Sequence, residues 1–467
     1  MPTRQVIVNK TDFSSLPLSA AMLDNLASLG YTRMTPIQAQ SLPVILDRQD
    51  LIAQAKTGSG KTAAFGLGLL DKINPRWFAV QALVLCPTRE LADQVAKEIR
   101  RLARCTDNIK VVTLCGGTPM GPQIGSLEHG AHVVVGTPGR LHDHLSRNTL
   151  DLSKVQTLVL DEADRMVDMG FYEEIVGIVA ACPRQRQTLL FSATYPDNIR
   201  KQSARFLKNP VEVKVESLHD ASRIEQRFYK IQPERRLATV AALLGHFRPV
   251  STIAFCNTKQ QVRELANELQ QQGFSALALY GELEQRERDE ILVQFANRSC
   301  SVLVATDVAA RGLDISTLEA VINVDLSHDP EIHIHRIGRT GRGGEKGLAL
   351  SLVGPNDSKR LALIESYQQA KPEWAHPDEL TSGGGPLVPP MVTLCIAAGR
   401  KDKVRPGDIL GALTGEAGIA GQQVGKIAVF EFASYVALDR HVARQAFSRL
   451  SEGRIKGRSF KMRFIGA

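Results

Sequence analysis

Two tandem α/β domains with parallel sheets, followed by a small β-α-β-β-α-β domain, is the fold this sequence predicts. Three observations predict it. Short apolar runs that end in small or polar residues alternate with helically spaced segments. The series stops and restarts after a polar stretch at 217–222. A Gly/Pro-rich stretch then sets off a last segment with a different order of elements.

The first series of strands reads as Leu51-Ile52-Ala53, Leu83-Val84-Leu85-Cys86, Val133-Val134-Val135, Leu158-Val159-Leu160 and Leu189-Leu190-Phe191. Between them lie amphipathic helices, one of which puts Leu91, Val95, Ile99 and Leu102 on one face. Runs buried on both sides, separated by helices, argue for a parallel sheet covered on both faces. The second series is Ile253-Ala254-Phe255, Leu277-Ala278-Leu279, Val302-Leu303-Val304 and Val321-Ile322-Asn323. Expected boundaries are 1–216 and 223–370 for the two domains, 371–390 for a linker, and 391–467 for the last domain. That domain reads as strand Met391–Ile396, helix Pro406–Leu413, strands Gly425–Phe430 and Ser434–Leu438, helix Val442–Leu450 and strand Ser459–Ile465. This order is a split βαβ sandwich.

Bulk properties narrow the function classes. The chain has 467 residues, 43% hydrophobic and 23% charged, with a net charge of +8. No apolar run reaches the roughly 18 residues that span a bilayer, and Met1–Lys10 has no signal-peptide core. A cytoplasmic protein with no membrane partner is expected. The seven cysteines form no C-x-x-C pair, so buried reduced thiols are expected. Residues 391–467 hold 13 Lys+Arg against 6 Asp+Glu, which is most of the basic excess. A basic terminal domain suits a polyanion partner, though a merely soluble basic domain would carry the same charge.

The chemistry concentrates in two distant stretches. Ala55-Lys56-Thr57-Gly58-Ser59-Gly60-Lys61-Thr62 follows a strand and opens a helix, as a phosphate-binding loop does. Its first position is Ala55, where glycine is usual. Lys61 would meet the β/γ-phosphates of ATP, and Thr62 would offer a hydroxyl to Mg²⁺. Asp161-Glu162-Ala163-Asp164 follows the strand at 157–160. Asp161 suits the Mg²⁺ ion and Glu162 the attacking water, although acids are also common at solvated helix starts. Arg339 and Arg342 lie in His335-Arg336-Ile337-Gly338-Arg339-Thr340-Gly341-Arg342, and Arg339 is 278 residues beyond Lys61. They are candidate arginine fingers, or else a basic surface turn. If Lys61 and Arg339 serve one nucleotide, ATP lies between two domains and its hydrolysis opens and closes them.

The ordered set resembles the DEAD-box RNA helicases of superfamily two over residues 10–355. Gly30-Tyr31 with Thr35-Pro36-Ile37-Gln38, and Phe13 upstream, is similar to the family's Q motif. Pro87-Thr88-Arg89-Glu90-Leu91-Ala92, Gly116-Gly117, Thr137-Pro138-Gly139-Arg140 and Ser192-Ala193-Thr194 follow in order. The second half supplies Phe255-Cys256-Asn257-Thr258, Gln285 with Arg288, Ala305-Thr306-Asp307, Arg311-Gly312-Leu313-Asp314 and the arginine stretch. One departure is Tyr280-Gly281, where the family often has His-Gly. The resemblance implies two RecA-like domains and RNA-stimulated ATP hydrolysis. It implies that Gln38 reads adenine, Phe13 stacks on it, and Asp314 reaches the ribose. Asp164, Ser192, Thr194 and His335 would couple ATP to strand separation. Pro87, Thr88, Arg89, Gly117, Thr137, Pro138, Gly139, Arg140, Thr258 and Thr306 would lie along the RNA backbone.

Residues 391–467 resemble the RRM-like domain of the bacterial branch of that family directed to 23S ribosomal RNA. Arg405-Pro406-Gly407-Asp408-Ile409-Leu410-Gly411 and Arg454-Ile455-Lys456-Gly457 carry the likeness. It implies a 23S hairpin near the peptidyl-transferase centre as target, large-subunit precursors as substrate, and a monomer with no obligate protein partner. Ordinary RNA-recognition modules stack bases on aromatics of their central strands. Here the first strand has none and the third keeps Tyr435. Hairpin binding is therefore expected mainly at Arg400, Lys401, Lys403, Arg405, Arg454 and Lys456, with Tyr435 secondary.

Overall fold

The computed structural model describes residues 11–55, 58–195, 197–215, 224–310, 318–341, 346–381 and 385–466. The chain divides near residue 218 into two compact units.

The first unit is built on seven strands: β1 Leu51–Gln54, β2 Ala82–Leu85, β3 Val111–Leu114, β4 Val133–Gly136, β5 Thr157–Asp161, β6 Gln187–Ser192 and β7 Val211–Lys214. Their order is β3-β4-β2-β5-β6-β1-β7 and every pairing is parallel. Strands β2, β4, β5 and β6 are buried along their whole length, as a sheet with helices on both faces requires. One core lies on each face, around Phe65 and Phe191 on one side and Leu158, Leu190 and Met166 on the other.

The second unit repeats the plan. Strands β8 Ile224–Lys230, β9 Thr252–Phe255, β10 Ala276–Leu279, β11 Val302–Ala305, β12 Ala320–Asn323, β13 Gly347–Val353 and β14 Trp374–Ala375 lie in the order β10-β11-β9-β12-β13-β8-β14. The last of these differs from the expected linker. Trp374 and Ala375 pair with Phe228 and Tyr229, so the second sheet reaches past residue 370. Further along, the Arg248 guanidinium donates to the Gly385 carbonyl at 2.8 Å.

The third sheet is antiparallel: β15 Met391–Ile396, β16 Val424–Val429, β17 Ser434–Asp439 and β18 Met462–Ile465, in the order β16-β17-β15-β18. The helices Pro406–Gly411 and Ala443–Glu452 close one face over a core of Leu394, Ile396, Ile409, Val436 and Leu450. The other face packs on the second unit's helix Gln285–Ala296. Cys395, Tyr435 and Ile465 form a buried cluster with Val293. Thr393 is fully buried and bonds Asn297 at 3.1 Å and Ser299 at 2.7 Å. Glu290 accepts from Arg463 at 2.8 Å and from the Tyr435 hydroxyl at 3.4 Å.

All seven cysteines are free, and all but Cys105 are buried. Among the described residues no helix is long and apolar enough to cross a membrane.

Candidate nucleotide and RNA sites

The phosphate loop leaves β1 at Ala55, whose methyl packs in the core and whose N–H donates to Ser192 O at 3.0 Å. A buried strand end accommodates alanine there, which accounts for the departure from glycine. Gly60 has φ +95°, and a Cβ there would stand 2.5 Å from the Gln38 side-chain nitrogen. Only glycine meets both demands. The helix Lys61–Leu70 then starts at Lys61. Lys56, Thr57, Asp314 and Arg342 lie outside the described residues.

Lys61 is 6% exposed and Asp161 2% exposed. Lys61 Nζ and Asp161 Oδ1 are both buried without a hydrogen-bond partner. Leaving such groups unsatisfied costs several kcal/mol in order of magnitude unless something binds them. Burial, only partly offset by the Lys61 charge, pushes the Asp161 carboxyl up to about 7. An ammonium, an acidic oxygen at a strand end and the half-buried Thr62 hydroxyl fit a magnesium-bound triphosphate.

Glu162 sits beside Asp161 in the left-handed region, with φ 54°. A non-glycine residue there carries backbone strain, which is a recurrent mark of active sites. Its carboxylate is held by Arg165 at 2.6 Å, both groups being buried. Arg165 was not singled out from the sequence; an arginine three residues after the acid, on the same helical face, was the available signal.

Asp164 connects this acid cluster to the neighbouring strand. Its carboxylate accepts from Thr194 N at 3.0 Å and Thr194 Oγ1 at 2.9 Å, and its N–H donates to Ser192 Oγ at 3.4 Å. Burial works to raise its titration, but Lys61, Ser192, Arg165 and Thr194 outweigh burial and hold it below the usual carboxylate range. The structure thus brings Asp164, Ser192 and Thr194 into one hydrogen-bonded group.

Gln38 and Phe13 are both buried. Gln38 is 1% exposed. Its amide accepts from Thr35 N at 2.9 Å and donates to Gly60 O at 3.1 Å, tying it to the phosphate loop. Phe13 is 5% exposed and packs edge-on against Tyr31 in a cluster with Leu16, Met22 and Leu26. Its ring offers no open face for stacking. An aromatic between two apolar helices is drawn into their core.

The RNA motifs of the first unit occupy the loops after β2, β3 and β4, which are adjacent strands at one edge. Thr88 accepts from Leu91 N at 3.3 Å, capping the helix Arg89–Leu102. Arg89 donates to Gly117 O at 3.5 Å, and Arg140 donates to Thr118 O at 3.0 Å. Gly117 has φ 71°. Thr137 and Pro138 begin the next helix, with Gly139 exposed. The loops of these adjacent strands carry hydroxyls, amides and guanidiniums, chemistry suited to phosphate and 2′-OH rather than base edges.

The second unit carries such loops after β9, β10 and β11. Thr258 caps its helix through Gln261 N at 3.2 Å, and Thr306 accepts from Ala309 N at 3.4 Å. Tyr280, the departure noted above, lies under Arg263 with the guanidinium 4.5 Å from the ring centre. Arg336, for which the sequence reading named no role, is 2% exposed. It donates twice to Asp307 at 2.7 Å, to Asp325 O at 2.7 Å and to Asn257 at 3.1 Å. It joins the ends of β9, β11 and β12. Arg339 is 6% exposed, directly after the helix Pro330–Ile337, and His335 is half-buried on that helix.

In the C-terminal domain, Arg400, Lys401, Lys403, Arg405, Arg454 and Lys456 all lie on loops; four of them are exposed in the 400–405 turn. Lys456 Nζ donates to Lys403 O at 2.9 Å, joining the two loops. Lys403 and Lys456 both hold positive φ, 60° and 52°. Tyr435 is corrected: it is 4% exposed, buried against Val293 and Glu290, and presents no face to RNA. The apolar pair Cys395 and Tyr435, opposite each other on neighbouring strands, seals a contact within the second unit.

The comparisons agree with this layout. The DEAD/DEAH box helicase family matches residues 35–202, the helicase conserved C-terminal domain 235–344, and the DbpA RNA binding domain 393–464. The chain is 51% identical to the ATP-dependent RNA helicase DbpA of Escherichia coli strain K12, over 97% of this chain and 100% of that protein. It is 44% identical to the DEAD-box ATP-dependent RNA helicase CshA of Bacillus anthracis, over 77% of this chain and 68% of the relative. Among solved structures, Saccharomyces cerevisiae Dbp5 bound to RNA and ADP BeF3 matches with a TM-score of 0.72 and 32% identity, covering 79% of this chain and 96% of that one. Two parallel seven-stranded sheets, an antiparallel RNA-binding domain and likeness along nearly the whole length lead to one conclusion: the chain belongs to the DEAD-box ATP-dependent RNA helicases, enzymes that hydrolyse ATP and act on RNA.

Proposed function

We propose that this helicase is directed to 23S ribosomal RNA through its C-terminal domain, and that it melts short duplexes in large-subunit precursors in the cytoplasm, as a monomer. The division of labour follows the domains: 1–216 and 223–370, the latter extended by the strand Trp374–Ala375, form the ATP-driven core, the rest of 371–390 connects, and 391–467 chooses the RNA. The likeness of residues 393–464 to the DbpA RNA binding domain supports the targeting.

The observation that carries the catalytic reading is the pair of buried, unsatisfied groups Lys61 Nζ and Asp161 Oδ1. Magnesium-bound ATP would supply the electrophilic γ-phosphate. Ala55 to Thr62 would cradle the phosphates, with Lys61 countering their charge and Thr62 and Asp161 serving the Mg²⁺ ion. Glu162, held in place by Arg165, would orient the attacking water and accept its proton. Arg339 and Arg342 would supply positive charge to the departing phosphate, and Asp314 would hold the ribose. Gln38 reaches adenine by exchanging its bond to Gly60, which would make nucleotide arrival felt at the phosphate loop. Asp164, Ser192, Thr194 and His335 would transmit the state of the phosphates. The RNA motifs would hold one strand by its backbone: Pro87, Thr88, Arg89, Gly117, Thr137, Pro138, Gly139 and Arg140 from the first unit, Thr258 and Thr306 from the second.

The test is RNA-stimulated ATPase activity with a 23S fragment carrying the peptidyl-transferase hairpin and with an unrelated RNA, before and after removal of residues 391–467. The expected outcome is a preference for the 23S fragment that disappears on truncation. A preference that survives truncation overturns the targeting. Equal stimulation by DNA would overturn the choice of RNA as substrate.

A further inference from the structure

The C-terminal domain has lost the surface on which such a fold usually stacks bases, because the sheet face around Cys395 and Tyr435 is packed against Val293 and Glu290. It has another aromatic in the open. Phe432 is 68% exposed, the most exposed large apolar side chain among the described residues. It stands at the tip of the hairpin between β16 and β17.

That tip is held still from the side. The turn Arg400–Asp402 docks on it through two backbone bonds, Arg400 N to Phe430 O at 2.8 Å and Lys401 N to Glu431 O at 3.0 Å. The approach requires Gly399, where a Cβ would lie 2.5 Å from both of those carbonyl oxygens. The hairpin also closes on itself, Phe430 N donating to Ala433 O at 2.8 Å. The backbone that carries two exposed cations, Arg400 and Lys401, is thereby held against the hairpin that carries the exposed ring. Lys401 is shared with Glu431 at 3.5 Å, both groups being solvated.

We propose that Phe432 is a stacking platform for an unpaired RNA base, with Arg400 and Lys401 meeting the phosphates on either side of it. This rests on the reading that residues 391–467 bind RNA. An exposed ring on a fixed backbone stacks with little ordering cost. Base–aromatic stacking tolerates any base, so the contact adds affinity for single-stranded nucleotides rather than sequence choice. The adjacent cations commit the site to a polyanion in preference to an apolar protein surface.

The experiment uses the full chain. Affinity is measured for the 23S hairpin fragment with a single-stranded extension and for the same stem trimmed blunt, with wild type, Phe432→Ala, Phe432→Tyr and the double variant Arg454→Ala/Lys456→Ala. Phe432→Ala is expected to weaken binding of the extended RNA about tenfold, with the blunt stem changed less than about twofold. Phe432→Tyr should restore it, since the ring is kept. The slope of affinity against salt should stay constant, because no phosphate contact is removed. Unchanged affinity of Phe432→Ala for the extended RNA, or equal loss for both RNAs, overturns the stacking site. If the Arg454/Lys456 double variant and removal of 391–467 also leave both affinities unchanged, the reading of the domain as the RNA-binding part fails instead.

Discussion

The two seven-stranded sheets are laid out alike, and they treat their buried charges in opposite ways. In each, three strands at one edge end in loops that carry threonines, joined in the first sheet by Arg89 and Arg140, and buried charged groups lie nearby. In the first sheet those groups are Lys61 and Asp161, whose Nζ and Oδ1 are buried without a hydrogen-bond partner. In the second, a buried cation, Arg336, is engaged by Asp307, Asp325 and Asn257 and lies 5.1 Å from the Phe255 ring centre. A saturated charge holds loops in register. An unsaturated one keeps its free energy for a ligand. At these positions the same fold thus leaves one buried charge open and braces another.

The most severe break in this comparison is chemical. Glu162→Gln keeps the size of the side chain and removes its basicity, so RNA-stimulated ATPase should fall by about a hundredfold or more while RNA binding persists. A steady-state ATPase assay decides it, and full activity would remove Glu162 from catalysis.

Next comes the contrast in stability. Arg336→Ala should destabilise the second unit by about 3–5 kcal/mol, since Asp307 and two carbonyl-type acceptors lose their partner. Lys61→Met should cost less ligand-free stability than Arg336→Ala, because Lys61 Nζ makes no hydrogen bond and acts on Asp161 and Asp164 only through its charge, yet abolish ATP binding. Denaturant titrations of both variants separate bracing from binding. Equal losses would erase the distinction.

The two sheets should also differ in pH response. Asp161, its carboxyl raised to about 7 by burial, keeps a proton when folded that it loses when unfolded. It therefore makes stability fall as pH rises from about 4 to about 7. His333, with neither ring nitrogen hydrogen-bonded, is lowered to about 4 by burial and the Arg336 charge. It makes stability rise as pH rises from about 4 to about 6.5. Subtracting the pH–stability curve of Asp161→Asn, and then that of His333→Phe, from wild type should give slopes of opposite sign.

The smallest expected effect concerns the third sheet. Tyr435→Phe keeps the ring against Val293 and loses a 3.4 Å bond to Glu290, so stability should change by less than about 1 kcal/mol. Hairpin affinity should stay at the wild-type value, and a clear loss would show that the Tyr435 hydroxyl takes part in RNA binding.

The sequence made the sheets legible because buried parallel strands are continuous apolar runs, and it made the phosphate loop and acid cluster legible because their chemistry fixes local spacing. Strand Met391–Ile396 was read to the residue, while the last strand starts at Met462 rather than Ser459. Long-range pairing was not legible. Arg336 and Asp307 are 29 positions apart, and Glu290 and Arg463 are 173 apart. No local period marks either partnership. Tyr435 was misread for the same reason: an aromatic in a central strand looks alike whether RNA or a neighbouring helix covers it.

The helix Gln285–Ala296 has a consequence of its own. Its first turns carry Gln285 and Arg288, the latter donating to Ala309 O at 2.7 Å in the segment that follows β11. Its later turns carry Glu290 and Val293, on which the third sheet rests. Twelve residues of helix make a rod about 18 Å long. On the proposed function the rod would work as a gauge: RNA held by the C-terminal loops would lie a set span from the loops after β9, β10 and β11, so distance along the RNA would become part of what is selected.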